Sequence, residues 1–179
     1  MNNVFIVPTG QEGPGKPALA RAAVCDLETL LSLISPGRFA EELKKHCPDG
    51  VCYIRGVRER IGDNEATWEA MTPGDLILEY RDRAIFSASF LAAKKNDSVL
   101  ASKLWPGDGP FGLLCLTDKP RVGEVPIPSQ MLRYLDGEYG DLVKLGADKV
   151  GNILADYGSL ETFVNLCLRY DFPFSFRHS

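Results

Sequence analysis

The sequence predicts an α+β fold, one small sheet or barrel with helices around it, and two observations predict it. Between Val51 and Phe111, alternating and continuous apolar runs of strand length are broken by clusters of Gly, Pro and Asp, the punctuation of short strands joined by turns. On either side, segments such as DLETLLSLI and LETFVNLCLR repeat their apolar residues at helical spacing. Both tryptophans, Trp68 and Trp105, fall inside the strand-rich stretch, so the rest of the chain is expected to be organised around it.

Taken in order, Val4 to Val7 is β-branched and aromatic and reads as a strand ending at Pro8. Gly10 to Pro17 is a Gly/Pro-rich loop in which Gly10, Gly15 and Lys16 come within one residue of a phosphate-cradling loop, and the helix-prone ALARAAV follows it. A working phosphate loop needs a hydroxyl after the lysine for magnesium and free N–H groups around the phosphates. Pro17 has no hydroxyl, and Pro14 and Pro17 each remove an N–H. The segment is therefore read as a flexible connector, and no cofactor is expected. Asp26 is placed to N-cap a leucine-faced helix that Ser35-Pro36-Gly37 stops. A second helix, Arg38 to His46, turns Phe39, Ala40 and Leu43 inward before Cys47-Pro48-Asp49-Gly50 reverses the chain.

Val51 to Val57 is a strand with Tyr53 and Arg55 on one side and Cys52 and Ile54 on the other. Arg55, Arg58 and Arg60 form the densest positive cluster in the chain. They could hold phosphates bidentately, the contact that positions a protein on a nucleic acid before a base is read; as a solvated loop they would be partly neutralised by Glu59, Asp63 and Glu65. Asn64 to Trp68 begins a short helix ended by Pro73-Gly74. Gly74 and Asp75 read as turn residues, Gly for backbone geometry and Asp for bonding nearby N–H groups. Leu76 to Tyr80 is a buried strand, Arg81-Asp82-Arg83 a hairpin tip and Ala84 to Ala93 its partner. Lys94-Lys95-Asn96-Asp97 leaves that strand, Ser98 to Trp105 is a helix, and Phe111 to Leu116 is a further strand. Lys94, Lys95 and Lys103 extend the basic rim begun by the arginines.

The division expected is a core over 1–120 and a mainly helical extension over 121–179 packed on it. In the extension SQMLRYL, Ala147 to Tyr157 and LETFVNLCLR are the helices, with Gly158-Ser159 ending one and capping the next.

Composition narrows the function. A net charge of −4 and an isoelectric point near 5.2 exclude an indiscriminate, basic nucleic-acid binder, so contact with nucleic acid must rest on a local patch. No apolar run reaches 18 residues and the N-terminus lacks the charged-then-apolar form of a secretion signal, so neither a membrane partner nor export is expected. Five scattered cysteines fit reduced thiols and a cytoplasmic location. Cys47 and Cys52 stand five apart beside His46, yet no second Cys/His pair has ligand spacing and the other histidine is His178. No metal site is expected. His-Glu-x-x-His, Gly-x-Ser-x-Gly and Cys-x-x-Cys are all lacking, and Asp75 and Glu79 have structural explanations, so no catalytic residue and no enzyme activity are expected.

The order of Tyr53-Ile54-Arg55-Gly56-Val57-Arg58, Asn64, Trp68, Met71-Thr72-Pro73-Gly74-Asp75, Leu76 to Tyr80, Leu100-Ala101 and Leu104-Trp105 resembles the EVE, YTH and related PUA-like domains. It most closely resembles the modified-DNA-reading domains at the N-termini of McrB-type restriction proteins. The segments after Val125 and around Tyr157-Gly158-Ser159-Leu160-Glu161 resemble the region that follows that reader core, whereas family members tend to carry a Trp near Phe111. The resemblance implies a PUA-like small mixed β-barrel surrounded by helices. It implies a pocket for a flipped, modified base formed by Trp68, with Tyr53, Trp105 and Asn64 around it. Arg55, Arg58, Arg60, Lys94 and Lys95 would then lie on the phosphates. The partner implied is DNA carrying a methylated or otherwise modified base, in a restriction system whose GTPase motor and nuclease lie outside these residues. Modified single-stranded RNA is the alternative ligand, since 2′-OH contacts are not legible in residue order. A protein-interaction domain that binds no nucleic acid is the other. From the residues alone a lone tryptophan such as Trp68 is more often core than cage.

Overall fold

The computed structural model describes residues 2–9, 20–107, 109, 111–127, 131–136 and 138–168. The phosphate-loop-like segment and the tail from Tyr170 onward lie outside the described residues. Among those described, the order is β1 (Val4–Pro8), β2 (Ala20–Asp26), α1 (Leu27–Ser32), α2 (Arg38–His46), β3 (Val51–Val57), α3 (Asn64–Glu69), β4 (Leu76–Arg81), β5 (Ala84–Asn96) and α4 (Ser98–Leu104). Then come β6 (Leu113–Thr117), β7 (Arg121–Pro126), β8 (Val143–Lys144), α5 (Ala147–Tyr157) and α6 (Leu160–Cys167).

The fold is α+β, built on one large mixed sheet of order β2-β3-β6-β5-β4-β1-β8. The β1–β4 pair is parallel and the other pairs are antiparallel. The β4–β5 hairpin turns through Asp82 (φ 51°) and Arg83 (φ 62°), two left-handed residues whose twist matches that of the flanking strands. β5 is long enough to serve two neighbours: its first half pairs with β7 and its second with β6. Asp118, between those neighbours, holds the junction. Its Oδ1 accepts from Phe90 N–H at 2.7 Å, and its own N–H donates to the Phe90 carbonyl at 3.0 Å.

Three apolar clusters follow from this shape. The sheet curls so that Phe5, Val7, Val57, Ile77, Leu91 and Cys115, from five strands, meet in one cluster with Trp68 and Met71. On the opposite face, Leu30, Leu43, Leu100 and Trp105 cover Ile54 and Leu116. At the other end, Val150, Ile153, Phe163 and Val164 of α5 and α6 cover Val4, Ile6, Leu76 and Leu78.

Three expectations change. A closed barrel is not seen among the described residues, because β2 and β8 stand at opposite ends of the strand order with no pairing between them. A two-residue β8 offers too little edge to close the sheet. The Ala-rich ARAAVCD is a strand, paired with β3 along its whole length from Ala20↔Val57 to Asp26↔Val51; ladder pairing overrides alanine's helical preference. Beyond residue 120 the chain contributes β7 and β8 to the sheet as well as two helices, and residues 131–135 make one turn in which Tyr134 and Leu135 N–H both donate to the Met131 carbonyl at 2.9 Å.

Candidate nucleic-acid interface

The Pro-Gly-Asp turn fixes the helix that carries Trp68. Asp75, fully buried, accepts from Thr72 N–H at 2.7 Å through one carboxylate oxygen and from Asn3 N–H at 2.7 Å through the other. Gly74, at φ 93°, donates its N–H to the Leu91 carbonyl at 2.7 Å. The end of α3 is thereby tied to β1 and β5, and the turn residues act structurally, as their types suggest.

Lys94, near the end of β5, reaches that helix end. Its Nζ donates to the Trp68 carbonyl at 2.9 Å and to the Glu69 carbonyl at 2.5 Å, and lies 4.6 Å from the Trp68 ring centroid. A cation here meets the orphan carbonyls of the last helical turn as well as the ring quadrupole. Burial lowers the Lys94 pKa from its ordinary value, opposed by nearby Cys115, Glu69 and Asp75. Trp68 itself is 7% exposed, and its indole lies against the buried Cys115 thiol, with which it hydrogen-bonds.

Beside Lys94 a cleft of about 600 Å³ opens between α2 and β5, with Arg38, Phe39, Glu42, Pro73, Ala92 and Lys95 among its walls. A second hollow of about 420 Å³ shares Glu42, Pro73 and Ala92 with it and reaches Lys45, His46, Phe90 and Asp118. Arg38 and Lys45 make no ion pair among the described residues. His46 Nε2 lies 3.3 Å from Glu42, and burial raises the Asp118 carboxyl above its ordinary range.

The other sequence-predicted residues are placed differently. Arg55 is not on a phosphate-facing surface. It is 4% exposed and lies in the sheet interior, where Nε is 2.6 Å from Glu79 Oε1 and Nη2 donates at 3.0 Å to both Glu79 Oε2 and Ser87 Oγ. The curl of the sheet buries both of its faces, so the side of β3 expected to carry exposed arginine is interior. Arg58 is half-buried with its guanidinium 4.8 Å from the Phe111 ring centroid. Arg60 is exposed, at φ 57° in the loop after β3. Lys95 pairs with Asp97 at 2.8 Å and lies over Phe39.

Of the residues expected around a base, Asn64 is a buried strut: its Nδ2 donates to the Arg58 carbonyl at 3.0 Å and its Oδ1 accepts from Leu142 N–H at 3.3 Å. Trp105 packs in the cluster on the other face of the sheet from Trp68, edge-on to Phe111 with centroids 6.0 Å apart. Tyr53 is half-buried on β3 between Val24 and Thr117, and no ring contact joins it to Trp68 among the described residues. Of the expected residues, Lys94 and Lys95 line the cleft, and Trp68 lies behind Lys94, buried in the interior cluster.

Arg38 and Lys45 were not among the residues expected to bind. Their signal in the sequence is the spacing of Arg38, Glu42 and Lys45, which sets three charged residues on one helix face, flanking the buried Phe39. No protein-family model matches the chain, and neither a curated protein nor a solved structure matches it.

Proposed function

We propose that this protein is a nucleic-acid-binding module of the PUA-like kind, which accepts a modified base of DNA, flipped from its strand, against the ring of Trp68. The observation that carries the reading is the Lys94–Trp68 pair beside the cleft: one face of the ring is met by a flexible cationic side chain 4.6 Å from its centroid, and Lys94 also lines the cleft. A base displacing that side chain exchanges a cation–π contact for stacking, and the released ammonium meets the phosphate that flanks the base. Arg38 in the cleft and Lys45 in the adjoining hollow supply backbone contacts, a role suited to cations with no ion pair among the described residues.

Modification dependence follows if the unmodified base fills the site poorly and so recovers less of its unstacking loss. The resemblance of the motif order supports DNA as the nucleic acid and a restriction system, with its GTPase motor and nuclease, as the setting. The test is a fluorescence-anisotropy titration at near-physiological salt. Matched duplexes and single strands are compared, unmodified or carrying N6-methyladenine, 5-methylcytosine or 5-hydroxymethylcytosine. A preference of about tenfold for one modified duplex, roughly 1.4 kcal/mol, is the expected outcome. Binding that ignores the modification removes base reading, and no binding at any salt removes the nucleic-acid role.

A further inference from the structure

Three of the five cysteines converge at the β2–β3–α2 junction. Cys25 and Cys52 face each other in the antiparallel register of β2 and β3. Cys47, the C-cap of α2, is buried in the same cluster as Cys52, brought there by the tight turn in which Gly50 N–H donates to the Cys47 carbonyl at 3.0 Å. The three sulfurs lie close enough for exchange with one another, Cys52 hydrogen-bonding to Cys47 and facing Cys25 across the strands. Residues directly opposite in an antiparallel pair have Cα atoms about 4.5–5.5 Å apart, inside the range of about 4.4–6.8 Å that a disulfide takes. Cys25 is half-buried whereas Cys47 and Cys52 are buried, so solvent reaches the first thiol and not the other two.

We propose that Cys25 and Cys52 form a redox-modifiable site: a reversible disulfide that fastens the edge strand β2 to β3, made by exchange with a low-molecular-weight disulfide of the glutathione class. The Cys25 thiolate attacks the incoming disulfide, giving a mixed disulfide and releasing one small thiol. The Cys52 thiolate then attacks the Cys25 sulfur, forming the protein disulfide and releasing the second small thiol. Two protein S–H groups are oxidised, the incoming S–S bond is reduced, and the two protons end on the released thiols. Burial pushes the Cys52 thiol well above its ordinary range, with Cys47 and Cys25 adding to the shift, and burial raises Cys25 as well. Thiolate is therefore scarce at neutral pH and exchange is slow, suited to sustained oxidation and not to brief signals.

The site is tested by incubating the full chain, natively folded, with oxidised glutathione, alkylating the free thiols and mapping tryptic peptides. The expected product joins peptide 22–38, which holds Cys25, to peptide 46–55, which holds Cys47 and Cys52. The link forms in Cys47→Ser, is lost in Cys25→Ser and is reversed by dithiothreitol. Cys115, fully buried, serves as the internal control that stays reduced. The proposal is overturned if the wild-type chain ends with Cys25 carrying glutathione alone, or with a bond inside peptide 46–55, or with all three thiols reduced. In the wild-type chain fragmentation of the linked peptides finds Cys47 alkylated, and a link through Cys47 with Cys52 alkylated also overturns the proposal, so an unstable variant leaves the test intact.

Discussion

Replacing Arg55 by methionine tests whether this arginine belongs to the interior or to a phosphate surface. Arg55 and Glu79 are 4% and 3% exposed, and the guanidinium serves Glu79 through two contacts, Ser87 Oγ at 3.0 Å and Thr117 Oγ1 at 3.3 Å. Methionine fills much of the same space but leaves the Glu79 carboxylate buried without a cation, a change that costs about 3–5 kcal/mol. For a chain of this size that lowers Tm by about 6–20 °C, at about 2–4 °C per kcal/mol. The double variant Arg55→Met/Glu79→Met removes both charges at once and should recover most of the loss, since apolar replacement of a buried pair is often neutral. The assay is urea unfolding followed by circular dichroism on wild type, both single variants and the double. Because Arg55 is buried in its pair with Glu79, the salt dependence of nucleic-acid binding should not change in the folded single variant. A loss below about 1 kcal/mol, or a salt slope reduced by about one, would refute the interior assignment.

Other outcomes follow from the same geometry. A Cβ added at Gly56 would lie 2.6 Å from Trp105 Cζ3 and 2.7 Å from the Phe111 carbonyl oxygen, so Gly56→Ala should destabilise by about 1–3 kcal/mol through overpacking, seen as a lower urea midpoint and an altered near-ultraviolet spectrum. Asp97 caps α4 by accepting from Leu100 N–H at 2.8 Å and pairs with Lys95 at 2.8 Å. Burial raises its pKa, but the bonds from Lys95 and Leu100 outweigh that and hold the carboxyl below its ordinary value. The contribution is therefore present above the unfolded carboxylate pKa and lost as pH falls through the lower folded one. Asp97→Ala should cost about 1 kcal/mol at pH 7, and the gap to wild type should narrow below about pH 4. Arg38→Gln and Lys45→Gln should each reduce the salt slope of binding by about one, weakening modified and unmodified probes alike.

What was legible in the sequence is the part where period and punctuation agree. Helix α2 runs from Arg38 to His46 as its buried Phe39 and Leu43 require. Asp26 and Ser159 cap α1 and α6, with Thr29 and Thr162 N–H donating at 3.0 Å each. The β4–β5 hairpin turns where its charged tip was read. Two of the strands that escaped have residues that argue against a strand, and the third, β8, is two residues long and has no period to read. β2 is rich in alanine, and β7 contains a glycine and ends on a proline, so both owe their conformation to the neighbour they pair with. Alternation put Tyr53 and Arg55 on one face of β3, which is correct, but alternation does not tell an exposed face from the inside of a curled sheet. That is why Arg55, an interior ion-pair partner, reads locally like a phosphate ligand. Trp68 was legible as an aromatic at the end of a short helix; the ammonium over its ring was not, because Lys94 lies 26 residues away and reaches α3 only through the fold.

The most direct test of the account is the affinity of Trp68→Ala for the preferred modified duplex and for its unmodified twin, with folding checked by circular dichroism. Base stacking worth about 1–3 kcal/mol corresponds to about a 5- to 140-fold loss. The account predicts that this loss falls on the modified duplex, so that the preference collapses while the weak unmodified binding and its salt slope stay. Equal losses on both duplexes, or an unchanged preference, would contradict a base-accepting role for Trp68.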